Sequence, residues 1–166
     1  MYKIHNVLSN KERKKIIKDA QPFLMDGEQL RKYYNNQNSY PGKQTEDLLH
    51  LKPEFASVMN KMIDKIKKEI KLNLEFHRSW INWSNGRKDQ MNWHHHYMDK
   101  DASFAAVYYL KTLPFFSNGT LFEDGFVRAP QNSMIIFPAH ILHTTPKNPF
   151  PFIDRYTMGI DLNFRN

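Results

Sequence analysis

The sequence predicts an α+β protein, mainly β: a sandwich or jelly roll backed by two helices in its N-terminal half. Three observations carry that prediction. Before residue 72 the apolar residues recur at helical spacing, most clearly at Phe55, Met59, Met62, Ile66 and Ile70. From Leu72 onward, aromatic and β-branched residues fill short runs separated by turn residues. Helices first and closely spaced strands afterwards is an α+β order, not the alternation of a parallel α/β sheet. No repeat, low-complexity tract or linker interrupts the 166 residues. One domain is therefore expected over 1–166, with 1–73 as helical support and loops and 74–164 as the strand core.

Each element has a local reason. Met1 to Val7 reads as a short strand, and Ser9-Asn10-Lys11-Glu12 is a capping box that starts a helix running from about Asn10 to Ala20. From Asp26 to Leu51 the chain is rich in Asn, Gln, Tyr and charge, with a turn signal at Tyr40-Pro41-Gly42, so loops with one short element are expected there. Within it, Tyr33–Tyr40 is the candidate selectivity loop. Pro53 suits the first turn of the second helix, which buries the apolar stripe named above. Strands are placed near Leu74–Trp83, Met91–Tyr97, Ser103–Leu110, Gly119–Phe122, Met134–Phe137, His143–Thr145 and Tyr156–Phe164, with Asn85-Gly86 as a turn between the first two.

Composition removes several kinds of chemistry. There is no cysteine, which excludes disulfides, thiolate nucleophiles, iron–sulfur clusters and Cys-type zinc sites together. Any metal must be held by His, Asp or Glu. The apolar runs, such as Ala102 to Leu110, are too short for a bilayer span, and the first ten residues carry no apolar signal core, so a soluble cytoplasmic protein is expected. The net charge of +7 makes nucleic acid a partner to weigh.

Five of the eight histidines fall between residues 94 and 143, three of them consecutive. In an extended segment His94 and His96 share one face, with Cα atoms ~6.6 Å apart, and His95 faces the other way. Two imidazoles so placed can meet one ion. Downstream, Phe137-Pro138-Ala139-His140-Ile141-Leu142-His143 brings two further histidines to the end of an apolar strand, which offers a third nitrogen ligand. In the last strand Tyr156, Met158, Ile160, Leu162 and Phe164 alternate strictly, so Arg155, Thr157, Gly159, Asp161 and Asn163 share the opposite face. Arg155 and Thr157 are thereby paired on that face, which is either an exposed surface carrying an ordinary arginine or a carboxylate clamp, a planar fork of donors beside a hydroxyl. Trp80, Trp83 and Trp93 read as core or cleft wall, Met59 and Met62 as core, and Glu123-Asp124 as a turn.

In order along the chain, His94-x-His96, Ala106-Val107-Tyr108-Tyr109-Leu110, Gly119-Thr120-Leu121-Phe122, Phe137-Pro138 with His143, and Arg155-Tyr156-Thr157 resemble the iron(II)- and 2-oxoglutarate-dependent dioxygenases. The similarity is closest to the small prolyl-hydroxylase-like members of bacteria and phages, and it covers about residues 80–164. The resemblance implies a double-stranded β-helix. It further implies His94, His96 and His143 as metal ligands and Arg155 as the partner of the far carboxylate of 2-oxoglutarate, assisted by Thr157 and Tyr109. The implied reaction is hydroxylation of a peptidyl or small-molecule C–H bond with release of succinate and CO2, with ascorbate as a reductant, in the cytoplasm of a bacterium or of a phage host.

In that family the residue two places after the first histidine is normally Asp, and here it is His96. Three readings stay open: His96 is itself the third ligand, Asp99 or Asp101 supplies a carboxylate instead, or the site binds without catalysing. The spacing from His94 favours the first. His140 competes with His143, and the family spacing after Phe137 favours His143. Two rival functions are a three-histidine cupin-like metalloprotein that uses no 2-oxoglutarate, and a basic nucleic-acid-binding β domain in which the histidines are incidental.

Overall fold

The structure is a computed structural model that describes residues 1–35, 42–85, 91–96, 102–112, 118–146 and 152–165. Strand β1 (Tyr2–His5) leads into helix α1 (Asn10–Ala20), then α2 (Gly27–Tyr34), the two-residue strand β2 (Lys43–Gln44) and helix α3 (Pro53–Ile70). Strands β3 (Leu74–Ser84), β4 (Phe104–Lys111), β5 (Gly119–Phe122), β6 (Gly125–Arg128), β7 (Ser133–Pro138), β8 (His143–Thr144) and β9 (Arg155–Phe164) follow.

The strands form two antiparallel sheets. The larger has the order β1-β7-β4-β9-β3-β2, and the smaller has the order β6-β5-β8. His94 adds a single antiparallel bridge to His143 at the open edge of the smaller sheet. From β3 onward the chain therefore crosses back and forth between the sheets: β3 large, the His94 segment small, β4 large, β5 and β6 small, β7 large, β8 small, β9 large. That alternation is the jelly roll the sequence predicts.

Both faces of the large sheet are covered, which is why β9 is buried along eight successive positions. On the outer face Tyr108, Met134, Met158, Ile160 and Leu162 pack against Ile16 and Ala20 of α1 and Phe55, Met59, Met62 and Ile66 of α3. Between the sheets a smaller core gathers Ala105, Tyr109, Phe122, Ile135 and Phe137. Tyr108 and Tyr109 thus enter different cores, as their alternation requires. A β-bulge interrupts the β3–β9 register between Phe76 and Arg78. It reverses the parity of β3, so Leu74 and Phe76 face the helices before it, and Ile81 and Trp83 do so after it.

The helix termini follow their sequence signals. The Ser9 hydroxyl accepts from the Glu12 amide at 3.2 Å while the Glu12 carboxylate accepts from the Ser9 amide at 2.9 Å. Pro53 opens α3, and the helix closes at Lys71, whose φ of 57° lies in the left-handed region. The one short element expected after Asp26 is the eight-residue α2, opened by a second reciprocal capping box between Asp26 and Gln29. Two elements differ from expectation. The Met91–Tyr97 segment is not a regular strand among its described residues: the single His94 bridge is its ladder contact. Strand β6, after the Glu123-Asp124 turn, is an addition. Tyr40-Pro41, Gly86 and the Asn36–Tyr40 part of the selectivity loop lie outside the described residues, as do Asp99 and Asp101. No helix among the described residues is long and apolar enough to cross a membrane.

Candidate metal centre

The site is built where the two sheets face each other. His143 begins β8, and its amide donates to the His94 carbonyl at 2.9 Å while the His94 amide donates back at 3.0 Å. Two residues on, the His96 amide donates to the Ala139 carbonyl at 2.8 Å. These backbone bonds place His94, His96 and His143 together without a regular strand. One ring nitrogen from each lies within 4.8 Å of the other two, a spacing one metal ion could bridge. His95 and His140 are exposed and stand apart from this cluster.

All three imidazoles have the same ring nitrogen engaged. His94 Nδ1 donates to the Asn92 carbonyl at 2.8 Å, and His143 Nδ1 donates to the Ile141 carbonyl at 2.9 Å. A carbonyl only accepts, so each ring carries its proton on Nδ1 and keeps a lone pair on Nε2. His96 Nδ1 pairs with Asp161 Oδ1 at 2.5 Å, and its Nε2 is buried with no hydrogen-bond partner. A buried nitrogen without a partner beside two others in the same tautomer fits a cation site, since one ion would satisfy all three at once.

Electrostatics agree with ligand duty. His143 is packed edge-on against Phe137, ring centres 4.6 Å apart, with Phe122 behind it at 6.1 Å. That burial first, and the neighbouring His94 second, push its pKa down to about 3. Burial also lowers the pKa of His94. Both rings are therefore neutral near pH 7, the state that binds a metal. His96 lies against the indole of Trp80, ring centres 5.6 Å apart and nearly parallel. Trp80 can reach it only because β9 has a glycine opposite: a Cβ on Gly159 would stand 2.3 Å from the indole.

Beyond the histidines the β3–β9 part of the large sheet's inward face is polar, whereas β4 and β7 contribute Ala105, Ile135 and Phe137. Asn82, Thr157 and Tyr109 stand in one row across β3, β9 and β4, and Ser84 opposes Arg155 in the next. Arg155 and Thr157 are 7% and 5% exposed, buried on the shared face the alternation assigns them. Arg155 donates to the Pro146 carbonyl at 3.2 Å. Tyr109 bonds the Thr120 hydroxyl at 2.5 Å, and burial holds its pKa above the ordinary phenol value although the charge of Arg155 acts the other way. Trp80, Asn82, Thr120, Thr145 and Thr157 line the cavity with the three histidines. Trp80 Nε1, Asn82 Oδ1 and Thr145 Oγ1 are buried there without partners. A buried polar atom left without a partner costs about 1–3 kcal/mol, so these three are available to a bound molecule or water.

The sequence placed Asp161 on this face without giving it a role, and Arg78 was not singled out. The signal was a lone carboxylate among the inward positions of a strand otherwise lined by neutral residues and one arginine. Of the tryptophans, Trp80 walls the cleft and Trp83 packs on the outer core, whereas Trp93 is 45% exposed and flanks an open groove with Leu121 and Leu142.

No protein-family model and no curated protein matches the sequence. Solved structures do match in fold. The viral collagen prolyl hydroxylase of Paramecium bursaria Chlorella virus-1, in complex with 2-oxoglutarate, superposes with a TM-score of 0.67 at 16% identity, over 99% of this chain and 96% of that one. A prolyl-4-hydroxylase of Pseudomonas putida gives 0.63 at 12% identity, over 99% and 92%. EctD from S. alaskensis with bound iron gives 0.67 at 14% identity, over 98% and 72%. The fold is that of the 2-oxoglutarate and iron(II) oxygenases, as the sequence resemblance implies.

Proposed function

We propose that this protein is an iron(II)- and 2-oxoglutarate-dependent dioxygenase that hydroxylates a C–H bond of a peptide or small molecule. The observation that carries the reading is the cluster of three imidazoles, each with Nδ1 engaged and Nε2 free, inside this fold. His94, His96 and His143 would hold the metal. Bound there, iron(II) supplies the coupled oxidation in which O2 and 2-oxoglutarate give succinate, CO2 and one hydroxyl on the substrate carbon.

The chain's own residues orient and enclose. Arg155 and Thr157 would take the far carboxylate of 2-oxoglutarate, and burial makes that charge-assisted contact count. Tyr109, hydrogen-bonded to the Thr120 hydroxyl, would support the clamp from the neighbouring strand. Trp80, Asn82 and Thr145 offer the remaining polar contacts. We further infer one catalytic unit over residues 1–166, acting in the cytoplasm, where a cysteine-free chain loses nothing to reducing conditions.

Fe(II), 2-oxoglutarate, ascorbate and O2 should yield succinate, and His94→Ala should abolish it. Arg155→Ala should raise the KM for 2-oxoglutarate on the order of 10- to 100-fold, the worth of a charged hydrogen-bonded contact. Succinate formation that survives His94→Ala sinks the metal assignment. Metal binding with no response to 2-oxoglutarate would instead select the three-histidine metalloprotein.

A further inference from the structure

His96 occupies the place where a carboxylate ligand is expected, and a carboxylate stands directly behind it. Asp161 is wholly buried, at 0% exposure. Its Oδ1 accepts from His96 Nδ1 at 2.5 Å. Its Oδ2 accepts from Arg78, with Nε at 2.8 Å and the second guanidinium nitrogen at 2.7 Å. The β-bulge in β3 makes this pairing: the register runs Phe76 to Leu162 and then Arg78 to Asp161, so the extra residue His77 is skipped and Arg78 is brought opposite the acid. Trp80 covers the adjoining ring face of His96. The imidazole is thus held on its Nδ1 side and on one face, with only Nε2 unpartnered.

We infer that Asp161 is the positioning residue of this metal centre: it fixes His96 with the proton on Nδ1 and the lone pair on Nε2, and supplies from behind the ring the negative charge an acidic ligand would bring directly. The inference rests on the metal reading given above. A carboxylate accepting from Nδ1 raises the basicity of Nε2 as well as orienting it. Arg78 takes the oxygen that faces away from His96, which leaves Oδ1 to the imidazole. Replacing Asp161 by Asn reverses the demand. The amide oxygen would stay with Arg78, its NH2 would turn to His96, and the ring would have to accept at Nδ1 and carry its proton on Nε2, aimed at the ion.

The test is anaerobic titration of the full-length protein with Co(II), followed by visible absorption. Asp161→Asn should weaken Co(II) binding by 10- to 100-fold, while His94→Ala removes it. The double variant His96→Asp with Asp161→Asn should recover most of the affinity lost by Asp161→Asn alone, because a carboxylate ligand has no tautomer to control. Affinity unchanged by Asp161→Asn, with His94→Ala still abolishing binding, overturns the role of Asp161 and leaves the metal reading standing. Co(II) binding indifferent to His94→Ala overturns the metal reading itself. A measurement on the unaltered protein guards against a variant that does not fold: in the Zn(II)-loaded form, 15N-histidine spectra should show His96 bound through Nε2 with a strongly downfield Nδ1 proton. Coordination through Nδ1 would refute the inference.

Discussion

At the scale of single residues, the neutral state of His143 has a cost that pH exposes. In the unfolded chain this imidazole takes a proton below its ordinary value of 6.5, whereas in the folded protein burial delays that to about 3. Between those values the unfolded state holds more protons, so stability falls as pH falls, and it is fully present above 6.5. Between pH 7 and pH 5 His143 alone should remove about 2 kcal/mol from the metal-free protein, and His94, shifted in the same direction, adds to it. Urea unfolding at the two pH values checks this, with His143→Gln as the comparison. The variant should lose clearly less stability over that interval, and equal losses would refute the buried neutral state. That His94 and His96 share a side was legible from their spacing, while His143 was preferred to His140 only through the family resemblance. That His96 leans on Asp161, 65 positions away, was not legible, since nothing in either segment alone encodes the other.

At the scale of elements, the clearest dependence is between β9 and β3 at Gly159 and Trp80. The glycine has no conformational need; it is required for space, because the indole occupies the volume a Cβ would take, with Cε2 at 2.3 Å and Cζ2 at 2.4 Å. Gly159→Ala should therefore cost about 1–3 kcal/mol by overpacking and push the indole toward His96, loosening that imidazole. The check is a double-mutant cycle by chemical denaturation: Gly159→Ala should be much less costly in a Trp80→Leu background than in the original one. Additive losses would mean the contact does not carry the effect. The elements themselves were largely readable. Helix α1 runs over Asn10–Ala20 as its capping box dictates, and the strict alternation of β9 sorts Arg155 and Thr157 from Met158 and Ile160. One short element was expected after Asp26; that it is a helix follows from the Asp26–Gln29 capping box, which the polar composition of the segment obscured. The bulge at His77 escaped because Phe76 and Arg78 obey ordinary alternation in sequence and change parity only against β9.

At the scale of the whole molecule, the position of charge separates the remaining functional readings. Residues Lys11 to Lys18 carry five basic and one acidic side chain, and Lys52 to Lys71 carry six and three, so these two segments hold 11 − 4 = +7, the entire net charge. They belong to α1, α3 and their flanks, which cover the outer face of the large sheet, while the histidines lie between the sheets. The basic helical face and the histidine cluster are thus on opposite sides of one sheet, and a polyanion on one and a metal at the other should shift thermal stability independently. Mn(II) with 2-oxoglutarate, each near 100 times its Kd, should stabilise by about 2.7 kcal/mol per ligand, which for a chain of this size is a rise in Tm of roughly 5–10 °C each. The 2-oxoglutarate increment should depend on Arg155 and shrink sharply without metal, whereas the Mn(II) increment should survive Arg155→Ala. Duplex DNA should add nothing at 0.15 M salt, where exposed charges separated by more than about 8 Å are largely screened. A DNA-induced shift at that ionic strength, together with indifference to Mn(II) and 2-oxoglutarate, would transfer the function from the cavity to the helical face.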